Sequence, residues 1–252
     1  MFVDSHTHLL RLEASPEAAV EEAAEARVLA VVNVGTDVAD SQEGAKLAAA
    51  LPNVYSSAGI HPHNAGTYTA ADLEALAELS ESPGIVALGE VGLDYYRGDW
   101  SQEIQRALFE DVVSLANDTR LPLIIHSREA FGDTMAILGR ARVPIVLHCF
   151  EGGEREAREA AERGYYVGLA GNVTYKNSRT AEILEALDPE RILVETDAPY
   201  LSPQAVRSKR NEPKYLVHTV SFVAGRIGMG EEEFGALTSR NARNVFALPL
   251  EA

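Results

Sequence analysis

Eight short and nearly continuous apolar runs recur along the chain, separated by longer amphipathic stretches. Runs of this kind, rich in β-branched residues, are typical of parallel strands that are covered on both faces. The predicted strands are residues 2–4, 28–34, 54–59, 85–88, 121–125, 143–147, 165–169 and 192–195. Eight strand–helix units in 252 residues predict an α/β fold, a single (β/α)8 TIM-type barrel rather than an open doubly wound sheet. We expect one barrel domain spanning residues 1–252.

Helix signals lie between the predicted strands. Ser15 followed by Pro16 has the form of an N-cap and a first helical residue. A helical stripe with spacing i, i+4, i+8, i+11 is formed by Ile104, Leu108, Val112 and Leu115. After the last strand, a polar loop over residues 202–213 leads into a helical C-terminus that ends near Phe246.

Composition narrows the class of protein. A single cysteine, Cys149, allows no internal disulfide framework and favours a cytoplasmic setting. The N-terminus does not have the form of a signal peptide, and no apolar stretch is long enough to span a membrane. A net charge of −16 argues against tight general binding to nucleic acid, although bound cations can supply local positive charge to an enzyme that meets nucleic acid briefly.

Six of the seven histidines fall at or just after the end of a predicted strand, together with one glutamate and one aspartate. Active sites of (β/α)8 barrels lie at the carboxyl ends of their strands, so these side chains are expected to share one pocket. The residues are His6, His8, His61, His63, Glu90, His126, His148 and Asp197.

Imidazole nitrogens and carboxylate oxygens are suitable ligands for two divalent ions. We predict that one ion is held by His6, His8, Glu90 and Asp197, and the second by Glu90, His126 and His148, with Glu90 as the shared ligand. Asp197 is expected to act as the general base on an attacking water. Glu90 and Asp197 are therefore the predicted catalytic residues. Four histidines suit Zn, Mn, Co or Ni better than Mg, which prefers oxygen ligands, but Mg remains a candidate.

Each of these residues also has an ordinary structural interpretation. Glu90 could form an ion pair, Asp197 could cap a turn, and a lone barrel histidine is commonly satisfied by hydrogen bonds. Buried histidines and carboxylates are costly unless they are paired or bound to metal, and so many of them at matching strand ends favour a metal site.

Other residues are candidates for substrate contact. His61 and His63 could ligate metal, grip a phosphate or stiffen their loop, and we favour substrate contact. Arg128 and Arg210 are suited to bidentate phosphate binding, although either could be a solvated surface charge. Three aromatic residues after strand four could stack a base or pack their loop: Tyr95, Tyr96 and Trp100.

The chain resembles the TatD-type metal-dependent deoxyribonucleases of the amidohydrolase-like barrels. The matching motifs are DSHTHL at 4–9, GIHPH at 59–63, GEVGLDYY at 89–96, HSREA at 126–130, HCFEGG at 148–153, GNVTYKN at 171–177, ETDAPYLSP at 195–203, RNEP at 210–213 and NARNVF at 241–246. The resemblance implies a TIM-like barrel, the same six metal ligands and hydrolysis of DNA phosphodiesters. Leu10 departs from the family, which often has Asp there, so a substrate contact at that position is in doubt.

Three functions are compatible with these features. The first is a nuclease that meets single-stranded DNA, DNA ends or short oligonucleotides transiently, with no membrane association and no obligate protein partner. The second uses the same metal site to hydrolyse a small ester, lactone, amide or an aminoacyl ester on RNA. The third keeps metal only for stability or serves as an interaction partner.

Overall fold

The computed structural model describes residues 1–97 and 100–250, so the last two residues of the predicted 1–252 domain lie outside the described part. The sheet follows chain order from β1 to β8. The strands are β1 (Phe2–Thr7), β2 (Val28–Asn33), β3 (Val54–Ala58), β4 (Ile85–Asp94), β5 (Leu123–Arg128), β6 (Ile145–Leu147), β7 (Tyr166–Leu169) and β8 (Ile192–Val194). Strand pairs are parallel, and β1 contacts β8, as the predicted (β/α)8 barrel requires.

Helices alternate with these strands over the described residues. They are α1 (Pro16–Glu25), α2 (Val38–Ala50), α3 (Ala70–Ser80), α4 (Gln102–Thr119), α5 (Phe131–Leu138), α6 (Glu154–Glu162), α7 (Arg179–Glu182), α8 (Leu216–Arg226) and α9 (Glu231–Phe246). Ser15 caps α1 by accepting from the backbone N of Ala18, and Pro16 is its first residue, as predicted. Among the described residues, none of the helices combines the length and apolarity that crossing a bilayer requires.

Two compact units divide the chain. The terminal unit comprises residues 1–33 and the segment from His148 onward, and it contains β1, β2, β7 and β8. Its core includes Phe2, which is fully buried and packs so closely on Gly235 of α9 that a Cβ there would overlap the ring. The central unit comprises residues 34–147 with β3 to β6, and Leu88 and Phe109 are fully buried in its core.

Strand ends differ from the sequence prediction in ways that matter for the site. Because Pro122 and Pro144 have no N–H, β5 and β6 begin just after them rather than at residues 121 and 143, and the proline carbonyls accept from Leu88 and Leu123. Strand β1 runs on to Thr7, β4 to Asp94 and β5 to Arg128.

The stripe on α4 and the C-terminal helix also differ from expectation. The buried face of α4 is centred on Leu108 and Val112, whereas Ile104 is exposed. The C-terminal helical region is two helices, α8 and α9, because Gly228 adopts a φ of 69° between them.

Candidate metal centre

The terminal unit brings two imidazoles together with one carboxylate. The Nε2 atoms of His6 and His8 are 3.4 Å apart, and Oδ1 of Asp197 lies 3.7 Å from Nε2 of His6 and 3.4 Å from Nε2 of His8. Two ligands bound at about 2.1 Å in tetrahedral geometry lie about 3.4 Å from each other. These three atoms therefore have the spacing of ligands to a single ion.

Backbone pairing fixes this spacing. His6 and His8 are two residues apart at the end of β1, and alternate residues of an extended segment share one face. The backbone N of Asp197 donates to the carbonyl of His6 at 2.9 Å, and the backbone N of His8 donates to the carbonyl of Ala198 at 2.8 Å. Asp197 has a φ of 53°, a left-handed conformation that aspartate adopts more readily than most residues.

His148 extends this group of side chains. Its ring stacks on that of His6 with centroids 3.8 Å apart, and its Nδ1 lies 3.0 Å from Oε1 of Glu195. Glu195 is fully buried and also accepts from the backbone N of Cys149 at 2.6 Å. Ligand atoms of His6, His148 and Glu195 all lie within 4.8 Å of one another. Because Glu195 faces Nδ1, Nε2 is the nitrogen of His148 that is oriented for a metal.

A second buried carboxyl, Asp4, joins β1 to the segment after β8. It accepts from the backbone N of Thr196 at 2.9 Å and from Oγ1 of Thr196 at 2.6 Å. It also accepts from the backbone N of His6 at 3.3 Å. Burial raises the pKa of Asp4 to about 8, against the opposing effect of the hydrogen bonds from Thr196. Asp4 holds the backbone on both sides of the His6–Asp197 pair.

The central unit contains its own group of ligand atoms. Oε1 of Glu90 lies 2.8 Å from Nδ1 of His126 and 3.5 Å from Nε2 of His61, and Glu90 is 3% exposed. Burial lowers the pKa of His61 to about 4, although the Glu90 carboxylate acts in the opposite direction. At neutral pH the His61 imidazole is therefore uncharged, a form that can bind a metal ion or accept a hydrogen bond from a substrate.

Asp94 lies beside the same histidines. Its Oδ2 is 3.0 Å from Nε2 of His63 and 3.2 Å from Nε2 of His126, and its Oδ1 accepts from the backbone N of Tyr96 and of Arg97, each at 3.0 Å. Burial raises the pKa of Asp94, but the hydrogen bonds from His126, Arg97 and His63 outweigh it and hold this pKa well below its usual value. Asp94 thus fixes the imidazole of His126 from the side opposite Glu90.

Glu195, Asp94 and Asp4 were not among the predicted site residues. A signal was present, because residues i, i+2 and i+4 of a strand share one face. By that rule Asp4 belongs with His6, and Asp94 belongs with Glu90 on β4. A site role for Glu195 was not predicted, because the residue directly follows the apolar β8 and a carboxylate there is typical of the exposed end of a strand.

The predicted substrate contacts lie in different surroundings. His63 faces Asp94, and its side chain is 26% exposed. The Arg128 guanidinium lies over the Tyr96 ring, 4.0 Å from its centroid. The Arg210 guanidinium donates to Oε1 of Glu13 and to the carbonyl of Arg11, each at 3.0 Å. Their roles toward substrate stay predictions.

Both groups of ligand atoms fit divalent metal ions. Histidine nitrogens with one or two carboxylate oxygens are the donors that Zn, Mn and related ions take in proteins. In addition, each group has a buried carboxylate that contacts one ring nitrogen of a histidine. Glu195 contacts His148, and Asp94 contacts His126. Such partners orient metal-binding histidines and increase their basicity.

The fold and these ligand groups define a metal-dependent hydrolase of the (β/α)8-barrel class. The family model of the TatD-related DNases matches residues 3–247. The chain therefore belongs to the TatD-related DNase family, as its sequence motifs predicted.

Known relatives agree with this assignment. An uncharacterized metal-dependent hydrolase of Bacillus subtilis, YabD, is 34% identical over an alignment 254 residues long that covers 98% of this chain and 100% of the relative. A protein named 3'-5' ssDNA/RNA exonuclease TatD, from Citrobacter rodentium, is 35% identical over 242 residues and 92% of each chain. The crystal structure of YJJV, a TatD homolog from Escherichia coli, superposes with a TM-score of 0.91 at 26% identity over 98% of each chain.

Proposed function

We propose that this enzyme is a divalent-metal-dependent nuclease that hydrolyses phosphodiester bonds at the ends of single-stranded DNA. The observation that carries the proposal is the spacing of 3.4–3.7 Å among the ligand atoms of His6, His8 and Asp197. The name of the Citrobacter rodentium relative, a 3'-5' ssDNA/RNA exonuclease, supports a nucleic acid substrate and extends it to RNA. A net charge of −16 fits a brief encounter with strand ends better than wrapping of a duplex.

We propose two divalent ions, Zn, Mn or Mg, held by the six residues His6, His8, Glu90, His126, His148 and Asp197. Glu90 as the ligand that both ions share is a prediction from the sequence. When bound, such ions polarise a phosphoryl oxygen and lower the pKa of water.

The side chains of this chain have distinct tasks in the proposed reaction. A carboxylate oxygen of Asp197 takes the proton of the attacking water. Glu195 orients His148 and Asp94 orients His126, and neither is proposed to touch the substrate. His61, His63, Arg128 and Arg210 are proposed to contact the substrate. Arg210 must then exchange its contact with Glu13 for a phosphate, which its exposed position permits.

We further propose that residues 1–252 work as one domain, in the cytoplasm, without an obligate protein partner. The single cysteine supports a reducing compartment.

The test is turnover by metal-free enzyme reconstituted separately with Mg, Mn or Zn. Substrates are single-stranded DNA, single-stranded RNA and duplex DNA, each labelled at the 5′ end so that products report the direction of digestion. Asp197→Asn is expected to fold, to take up metal and to lose activity by about a hundredfold or more. Asp118→Asn, at an exposed position near the end of α4, is the matched control and is expected to keep full activity.

The outcomes separate the candidate functions. Metal-dependent cleavage that Asp197→Asn abolishes supports the nuclease. Metal uptake without cleavage of any nucleic acid refutes it and leaves hydrolysis of a small ester, lactone, amide or aminoacyl-RNA ester. If metal uptake raises the melting temperature but neither nucleic acids nor these small substrates are turned over, the proposed enzymatic role of the metal is refuted and a stabilising role is supported.

A further inference from the structure

Three aromatic residues follow Asp94 at the end of β4, and the structure distinguishes them. The Tyr95 hydroxyl donates to Oδ2 of Asp133 at 2.7 Å. Nε1 of Trp100 donates to the carbonyl of His63 at 2.8 Å. Tyr96 is 59% exposed, so much of its ring faces solvent. The side chains of Tyr95 and Trp100 are each engaged in a hydrogen bond, whereas Tyr96 presents an aromatic surface.

Arg128 completes this surface. Its guanidinium lies over the Tyr96 ring with Cζ 4.0 Å from the centroid, and Arg128 is itself exposed. A planar guanidinium and an aromatic ring in this arrangement attract each other and form a flat, positively charged unit. We call Tyr96 and Arg128 together the Tyr96–Arg128 platform.

The platform is fixed by the backbone rather than by its own stacking alone. The backbone N of Tyr95 donates to the carbonyl of Arg128 at 2.9 Å, and Asp94 is the register partner of Arg128 between β4 and β5. The backbone N of Tyr96 donates to Oδ1 of Asp94 at 3.0 Å. Both residues of the platform therefore follow directly from paired strands.

The same carboxylate connects the platform to the histidines. While Oδ1 of Asp94 holds the turn that carries Tyr96, its Oδ2 lies 3.2 Å from Nε2 of His126 and 3.0 Å from Nε2 of His63. One buried side chain thus sets the position of the aromatic surface and of a proposed metal ligand. A base lying on the platform would therefore be held at a fixed distance from His126.

We propose that the Tyr96–Arg128 platform stacks an unpaired nucleobase at the end of a single-stranded substrate. This rests on the proposed function and names the feature of the substrate that the site selects. Every base has an aromatic face, so stacking accepts any sequence. A base inside a duplex is already stacked and paired, so the platform favours single strands, while the Arg128 charge assists the approach of the adjacent phosphate.

The test compares two substitutions at one position on two matched substrates. Tyr96→Leu removes the ring, whereas Tyr96→Phe keeps it. Each variant is assayed on a single-stranded oligonucleotide with a normal 3′ end and on one carrying abasic residues at its last two positions. Tyr55→Leu, which removes a half-buried tyrosine near the start of β3, is the control for loss of an aromatic ring elsewhere in the central unit.

We expect Tyr96→Leu to raise KM for the normal oligonucleotide about tenfold, equivalent to about 1.4 kcal/mol, with little change in kcat, because the variant loses the stacking of a base on the aromatic ring. KM for the abasic oligonucleotide is expected to be the same in Tyr96→Leu and in wild type. Tyr96→Phe and Tyr55→Leu are expected to behave as wild type on both. An equal rise of KM on both oligonucleotides, or no rise on either, overturns the platform.

A second readout does not require turnover. An oligonucleotide with 2-aminopurine at the 3′ end is titrated into metal-loaded Asp197→Asn protein, and stacking is expected to quench its fluorescence. The quenching should be lost in the Asp197→Asn, Tyr96→Leu double variant and kept with Tyr96→Phe. Should the wild type cleave no nucleic acid, the proposed function fails, and Tyr96-dependent quenching then still supports a base-binding surface. Quenching that does not depend on Tyr96 refutes the platform.

Discussion

Oε1 of the fully buried Glu195 lies 3.0 Å from Nδ1 of His148 and 2.6 Å from the backbone N of Cys149. The backbone contact fixes the carboxylate, and the carboxylate in turn fixes the imidazole. Glu195 therefore controls which nitrogen of His148 faces the proposed metal centre without being one of the six proposed ligands.

Glu195→Gln is expected to weaken metal binding about 10- to 100-fold, because a neutral amide orients the imidazole less strictly and makes it less basic. Titration calorimetry of the metal-free protein with Zn or Mn measures the affinity. Glu151→Gln is the matched control, since Glu151 is exposed and accepts a hydrogen bond from Asn172. Equal affinities in Glu195→Gln and wild type would show that His148 needs no orienting carboxylate.

Gly168→Ala tests the same carboxylate from the neighbouring strand. A Cβ on Gly168 of β7 would overlap the carboxylate of Glu195, which has little room to move. We expect a loss of about 1–3 kcal/mol in the free energy of unfolding, together with weaker metal binding. Denaturant melts and calorimetry measure the two effects.

Gly132→Ala is the control for that substitution. A Cβ on Gly132 of α5 meets no atom within 4 Å, and alanine favours a helix over glycine by up to about 1 kcal/mol. The control should therefore be as stable as wild type or more stable. If Gly168→Ala binds metal as tightly as wild type, the Glu195 carboxylate tolerates displacement.

Tyr95 predicts a change of stability at high pH. Burial and the hydrogen bond to Asp133 raise the pKa of its phenol to about 12 from the ordinary value of 10. The neutral phenol is favoured in the folded state, so its contribution is complete below pH 10 and is lost as the pH rises toward 12. The free energy of unfolding is expected to fall over this interval.

Tyr95→Phe should lower stability at neutral pH by about 1 kcal/mol and reduce the fall between pH 10 and 12. Denaturant melts across this range measure both, and absorbance at alkaline pH follows phenol ionisation directly. Tyr96→Phe, at the adjacent exposed position, should leave the fall unchanged. A Tyr95→Phe protein with the same pH dependence as wild type would exclude the Tyr95–Asp133 hydrogen bond as its cause.

Removal of divalent ions is expected to lower the melting temperature. An ion that binds only the folded protein stabilises it by about 2.7 kcal/mol when its free concentration is 100 times Kd. Differential scanning calorimetry with and without chelator measures the shift, which should increase with metal concentration. The shift should be much smaller in His6→Asn, while Asp118→Asn should retain it in full.

Much of the fold could be predicted from hydrophobic pattern. Apolar β-branched runs gave all eight strands, and His6, His8 and Asp197 were correctly expected to lie close together. The length of β4 could not be predicted in this way. It runs to Asp94 because Gly89 and Gly92 allow β5 to approach so closely that a Cβ at either would overlap its backbone. Because glycine has a low strand propensity, the sequence pattern predicts an end to this strand at residue 88, before Gly89.

The buried carboxylates were missed for a related reason. Composition rules place Asp and Glu at the surface, and they do not register that Glu195 and Asp94 accept backbone N–H groups beside histidines. Arg210 shows the opposite limit, because nothing local in the sequence indicates that Glu13, far away along the chain, is its partner.

The pairing of β1 with the segment after β8 has a consequence for the order in which the enzyme is made. His6 and His8 leave the ribosome long before Asp197, whose carboxylate lies against them, and before Thr196, whose hydrogen bonds with Asp4 align them. A nascent chain therefore has no complete His6–His8–Asp197 group until Asp197 itself has left the ribosome.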